Sequence, residues 1–239
     1  MNHTQLTVLI TGGATGIGFA IAEKFHAAGN RVILVGRTEA TLSSAVGALP
    51  GAEACVADIT LTQDRDRLLT QFPDISVLVN NAGFTIFAPI ASTAPEDIEL
   101  EIRINLVAPV LLSRAYLPLL LKQPTAAIVN VSSGLALVPQ EISAIYSASK
   151  AALHSFSRTL RWQLENTNVR VFEVIPPLVD TATTAGRGKG KISPAQVAEE
   201  FWEGFKGNRY EMLIGNTKLL PIINRLSPSI AEKMVRHGP

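Results

Sequence analysis

The strongest constraint on this chain lies near its start. Thr7-Val8-Leu9-Ile10-Thr11 reads as a short apolar strand. Gly12-Gly13-Ala14-Thr15-Gly16-Ile17-Gly18 follows at once, and Phe19 to Ala28 then reads as an amphipathic helix. Strand, glycine turn and helix make the first half of a mononucleotide-binding unit. Glycine permits positive φ and lets a phosphate approach the backbone. The helix N-terminus offers free N–H groups and the positive end of its dipole to an anion. A glycine-rich turn also occurs without any ligand, but the flanking strand and helix favour the binding reading.

The rest of the chain keeps the same alternation. Arg31 to Val35, Ala54 to Ala57, Val77 to Asn80, Ala126 to Val131 and Arg170 to Ile175 read as further strands, with Met212-Leu213-Ile214 as a last one. Their near-continuous Val and Ile content suits strands buried on both faces of a parallel sheet. Helical patterns separate them. Thr93-x-x-Glu96 has the form of a capping box opening the Pro95 to Leu121 region, in which Pro109 predicts a bend or break. Ser193-Pro194-Ala195-Gln196 has the same form, with proline at the first helical position. No linker divides the chain. The expected fold class is α/β, a Rossmann-like doubly wound parallel sheet in a single domain over 1–239.

Composition excludes several classes. Hydrophobic residues make up 47%, enough for a large core, and the net charge of +1 gives no basis for nucleic acid as a partner. Cys55 is the only cysteine, so no intramolecular disulfide forms; its apolar surroundings predict an inert core thiol. The start lacks a basic-then-apolar signal pattern. Leu106 to Leu121 is interrupted by Pro109, Ser113, Arg114 and Pro118 and falls short of a clean bilayer span. A cytoplasmic protein without membrane attachment is the expectation. His3, His26, His154 and His237 show no ligand spacing, so no metal is expected.

Tyr146 and Lys150 stand four positions apart in a small-residue, helix-compatible stretch, and so share one helix face. A phenol with pKa about 10 moves protons poorly at neutral pH. An adjacent cation lowers that value. The same spacing also suits a surface helix with a snorkelling lysine, and the surrounding motifs decide between the two.

Ala182 to Ile192 breaks the rhythm. It carries Gly186, Gly188 and Gly190 with Arg187, Lys189 and Lys191, has no apolar period, and reads as a mobile substrate loop on the ligand side of the sheet. The tail over 216–239 lies beyond the last strand. Its many apolar residues predict packing against that loop or a partner chain; membrane-surface attachment is less favoured, since only Lys218, Arg225, Lys233 and Arg236 add positive charge.

Taken in order, Thr11-Gly12-x-x-x-Gly16-x-Gly18, Asn80-Asn81-Ala82-Gly83, Ser133 and Tyr146-x-x-x-Lys150 resemble the short-chain dehydrogenase/reductase family, from Thr7 to about Gly215. The resemblance implies roles. Tyr146 would protonate a carbonyl oxygen as a nicotinamide delivers hydride. Lys150 would lower the Tyr146 pKa and bind the nicotinamide ribose, Ser133 would hold the substrate oxygen, and Asn105 would hold a water that relays protons to Lys150. The cofactor would lie on Gly12, Thr15, Gly16, Ile17, Gly18, Asn81, Ala82, Gly83, Pro176, Val179 and Thr181, with Asp58 and Ile59 beside the adenine. Pro177 stands where the family commonly has glycine, which puts the local loop geometry in doubt.

The end of the second strand, Leu34-Val35-Gly36-Arg37-Thr38, bears on cofactor type. An acid there would select NAD through the ribose 2′-OH. Gly36 takes that place and Arg37 suits a 2′-phosphate, which favours NADP(H). The resulting expectation is an NADP(H)-dependent carbonyl reductase or alcohol dehydrogenase, a homodimer or homotetramer. Its substrate is a small apolar carbonyl compound or alcohol, in a pocket lined by Phe84, Phe87, Leu135, Leu137, Val138 and Ile142. A 3-oxoacyl carrier-protein reductase and a non-catalytic NADP-binding regulator are the alternatives.

Overall fold

A computed structural model describes residues 3–237. Seven strands form one parallel sheet in the order β3-β2-β1-β4-β5-β6-β7. They are β1 (Thr7–Thr11), β2 (Arg31–Gly36), β3 (Glu53–Val56), β4 (Val77–Asn80), β5 (Ala126–Val131), β6 (Val169–Ile175) and β7 (Glu211–Leu213). The order reverses between β1 and β4, and ligands of such sheets bind at that switch point, beyond the strands' carboxyl ends.

Helices cover both faces, as a parallel sheet requires. On one side α1 (Gly16–Ala27), α2 (Glu39–Ala48) and α7 (Pro194–Lys206) enclose a core built on Phe25, Leu42, Phe172, Phe201 and Phe205. On the other, α3 (Thr62–Gln71), α5 (Ala108–Leu120) and α6 (Ala144–Gln163) pack around Leu68, Phe72, Leu112, Tyr116 and Leu160. The continuous helical run Pro95–Leu120 is long and apolar enough by composition to cross a bilayer. Here it lies along the sheet, with Leu112, Tyr116 and Leu120 fully buried.

That run changes its winding. After α4 (Pro95–Ile102), residues Arg103–Val107 form a π-helical turn before α5 begins. Pro109 lacks the N–H that a regular helix would send to the Asn105 carbonyl, and the wider turn accommodates the loss. The break therefore falls just before the proline, at Asn105.

Four expectations need correction. Thr93 does not cap α4: Ala94 is the N-cap, and the Thr93 hydroxyl donates to the Pro89 carbonyl at 3.0 Å, captured by the short 3₁₀ turn Ile90–Ser92. Ser193 does accept from the Gln196 amide at 3.1 Å, but the Gln196 side chain turns to Glu200, so only half of that box forms. β3 is an edge strand with Ala54 and Val56 exposed, because it is not covered on both faces. α1 starts at Gly16 rather than Phe19, which brings the last two glycines of the turn into its first turn.

The tail forms α8 (Leu220–Leu226) and α9 (Pro228–Val235). It packs on the turn after β5, where Leu220 and Ala231 bury Val138.

Candidate active site

The glycine turn is shaped by steric need. Gly12 and Gly16 adopt φ of +61° and +55°, a region in which side chains are strained. A Cβ on Gly18 would lie 2.3 Å from the Gly12 carbonyl oxygen, so α1 can approach the turn only with glycine there. The turn is also braced from β4. Asn81 Nδ2 donates to the carbonyls of Thr11 and Gly12, both at 3.0 Å, while Thr11 Oγ1 accepts from the amides of Asn81 and Ala82, both at 3.1 Å. Asn81 thus fixes the cradle. Asn80 is buried within the sheet and donates to Asn130 and Ser113.

Lys150 and Tyr146 share a face of α6. Lys150 is 3% exposed, and its Nζ donates to the Val131 carbonyl at 2.9 Å, at the end of β5. The same Nζ lies 5.6 Å from the centre of the Tyr146 ring. Burial pushes the ammonium down to about 8, with Glu173 and Glu101 drawing it back up. Burial also pushes the Tyr146 phenol up, to about 12; the Ser133 hydroxyl pulls it down and the Glu101 charge pushes it further up. Ser133 ends β5's loop as the cap of a short turn and accepts from the Leu135 amide at 3.1 Å.

Asn105 uses its side chain as a clamp. Its Nδ2 donates to the Phe84 carbonyl at 2.7 Å and to Ser149 Oγ at 3.2 Å, and its Oδ1 accepts from the Phe84 amide at 2.9 Å. The side chain is fully engaged by these contacts.

These groups meet in one cavity of about 700 Å³. Its walls include Gly12, Thr15, Gly16, Ile17, Asn81, Ala82, Gly83, Ser133, Tyr146, Lys150, Pro176, Val179 and Thr181. Gly18 and Asn105 stand behind the wall. Arg37, Asp58 and Ile59 lie away from it, at the ends of β2 and β3. Arg37 is exposed, while one Asp58 oxygen accepts from the Thr60 amide and hydroxyl at 2.9 and 2.7 Å, making a local turn. A cradle of bare backbone leading to buried Lys150 and half-buried Tyr146 fits a dinucleotide with its nicotinamide end innermost.

Phe84, Phe87, Leu135 and Ile142 line the cavity as expected. Leu137 and Val138 do not, because the tail covers them. The loop after β6 closes over the cavity, its base stapled by hydrogen bonds between Asp180 and Ile192 and between Ile192 and Leu178, and Arg187 stacks 4.0 Å over the Phe87 ring. The tail reaches the mouth through Met234, Val235 and His237 and packs on the Gly134–Val138 turn, a neighbour that patterning alone does not reveal.

Away from the cavity, His154, Glu173 and Glu211 place ligand-type atoms within 4.8 Å of one another. His154 Nδ1 and Glu173 Oε2 are 2.9 Å apart, so the pair is an ion pair when the ring is protonated. The scattered spacing of the histidines gave no sign of this cluster.

The doubly wound sheet, glycine cradle and Tyr–Lys pair define a nicotinamide-nucleotide oxidoreductase. Residues 6–191 match the family described as short chain dehydrogenase, and the chain belongs to that family. It is 41% identical over 225 residues to the uncharacterized oxidoreductase DltE of Bacillus subtilis, covering 89% of each chain. A short chain dehydrogenase from Burkholderia cenocepacia, solved in complex with NADP, superposes with a TM-score of 0.89 at 27% identity over 98% of both chains. A short chain dehydrogenase/reductase from Burkholderia phymatum, solved with NAD, gives a TM-score of 0.85 at 24% identity over 100% of this chain and 99% of that one.

Proposed function

We propose that this protein is an NADP(H)-dependent carbonyl reductase or alcohol dehydrogenase with Tyr146 as general acid and base. The observation that carries the reading is the meeting of Ser133, Tyr146 and Lys150 in the cavity that the glycine cradle opens into. The bound nicotinamide supplies or accepts the hydride. Ser133 orients the substrate oxygen, and Tyr146 gives it a proton during reduction and removes one during oxidation. Lys150, held on the Val131 carbonyl, would bind the nicotinamide ribose, and Asn105 holds the Phe84 wall.

NADP(H) is supported by Gly36 and by the exposed Arg37 at the end of β2, where a 2′-phosphate would meet a guanidinium. Relatives have been solved with either nucleotide, NADP in Burkholderia cenocepacia and NAD in Burkholderia phymatum, so the choice rests on Gly36 and Arg37. Phe84, Phe87, Leu135 and Ile142 favour an apolar carbonyl substrate. Exposed Val107, Leu121 and Trp162 support a homodimer or homotetramer, and a cytoplasmic location goes with this reading. A carrier-protein reductase would need a free basic docking face. Arg103 instead pairs with Glu99, Arg158 stacks on Trp162, and Arg161 binds the Val171 and Tyr210 carbonyls.

The test is NADPH consumption with a panel of ketones and aldehydes of rising apolar size. Turnover that depends on the carbonyl compound supports the reading. NADPH binding without turnover across the panel would instead favour a non-catalytic regulator.

A further inference from the structure

The strand beside the sheet edge carries an acid where its neighbours are apolar. Glu173 is fully buried in β6, between Phe172 and Val174, which are buried too. A buried carboxyl group is costly unless its oxygens find partners. Oε2 has one, His154 Nδ1 on α6, at 2.9 Å. Oε1 has none among the described residues. The register adds a second acid, because Glu211 on the three-residue edge strand β7 stands directly beside Glu173. Like charges side by side on neighbouring strands repel. One nitrogen of His154 and one oxygen from each carboxyl group lie within 4.8 Å of one another. The nearby arginines are engaged elsewhere. Arg161 donates to the Val171 and Tyr210 carbonyls at 3.0 and 3.1 Å, and Arg158 lies 5.7 Å over the Trp162 ring. Among the described residues neither forms an ion pair with Glu173 or Glu211.

We propose that His154, Glu173 and Glu211 form a site for one divalent transition-metal cation, zinc by its ligand chemistry, which fastens the edge strand β7 to α6. An imidazole nitrogen and two carboxylate oxygens are zinc ligands, and a water completes a tetrahedral set. Magnesium and calcium favour all-oxygen sets, so the imidazole selects against them. The charges balance, since two carboxylates and a neutral imidazole call for a doubly charged ion. The cation also supplies a partner for the carboxyl group whose Oε1 lacks one. Glu211 is exposed and His154 only partly buried, so the ion enters from solvent without unfolding the sheet. Without metal, a proton on His154 takes the cation's place and makes the ion pair with Glu173. Metal binding therefore releases that proton and weakens as pH falls. The site lies outside the cavity and holds whether or not the catalytic reading does.

The experiment is calorimetric titration of the full chain, stripped with EDTA, with zinc chloride at about pH 7.5. Wild type should bind one zinc per chain with a Kd of about 10 µM or tighter, and magnesium chloride should give no binding heat. His154→Gln and Glu211→Gln should each weaken zinc binding by at least about tenfold. Zinc should raise the Tm of wild type and leave that of His154→Gln unmoved. No zinc binding by wild type overturns the proposal. So does equal affinity in wild type and both variants, which would place the ion elsewhere on the chain. Should His154→Gln fail to fold by circular dichroism, Glu211→Gln decides alone, since its side chain is exposed, and an unchanged zinc affinity there overturns the proposal. None of these readouts needs turnover.

Discussion

Lys150 Nζ hangs from the Val131 carbonyl at 2.9 Å and stands 5.6 Å from the centre of the Tyr146 ring. One contact anchors α6 to the end of the central strand β5, and the other sets the charge beside the phenol. The carboxyl end of β5 thereby places Lys150 beside the phenol, next to the glycine cradle braced by Asn81.

Cofactor choice should follow the end of β2. Wild type should prefer NADPH over NADH by at least about tenfold in kcat/KM, or ~1.4 kcal/mol. A side chain at Gly36 fits, since a Cβ there meets only Leu42, at 3.6 Å. Gly36→Asp with Arg37→Ala should therefore fold and move the preference towards NADH. Equal use of the two cofactors by wild type would contradict the role given to Arg37.

Truncation after Leu226 removes α9. It uncovers Val138, deletes Met234, Val235 and His237 from the cavity mouth, and breaks the Arg236–Glu141 ion pair. KM for the carbonyl substrate should rise about fivefold, ~1 kcal/mol of lost apolar contact. NADPH affinity should stay within a few-fold, because α9 does not touch the glycine turn. An unchanged KM would show that the tail has no part in the substrate site.

A pH-dependent contribution to stability should come from His154. The hydrogen bond to buried Glu173 raises its pKa, and burial opposes the rise more weakly. The folded protein therefore holds this proton more tightly than the unfolded chain. The stabilisation is complete below the unfolded imidazole value of about 6.5 and is lost as pH rises through the higher folded value. The Tm gap between wild type and His154→Gln should be wider at about pH 6 than at about pH 9. A gap that widens with rising pH would contradict the pairing.

Much of this architecture is legible in local pattern. The strand–glycine–helix start predicts the cradle, and β1, β4 and β5 fall on their expected residues because buried parallel strands are unbroken apolar runs. What is missed depends on tertiary partners. Ala54 and Val56 look like core but face out, because β3 is at the edge. Thr93 has a capping pattern, yet the Pro89 carbonyl claims its hydroxyl. Leu137 and Val138 look like pocket, but a tail about 90 residues away in sequence covers them. Glu101 carries no local signal, since its burial comes from the loop folded over α4.

Single-turnover NADPH oxidation in wild type and Tyr146→Phe, with NADPH affinity measured in parallel by fluorescence, tests the central claim most directly. The substitution keeps the ring and removes the hydroxyl that carries the exchangeable proton. Turnover should fall by at least the roughly 10²-fold typical of a lost general acid, while NADPH affinity stays nearly unchanged. A Tyr146→Phe enzyme that reduces the carbonyl substrate at close to the wild-type rate would contradict the account.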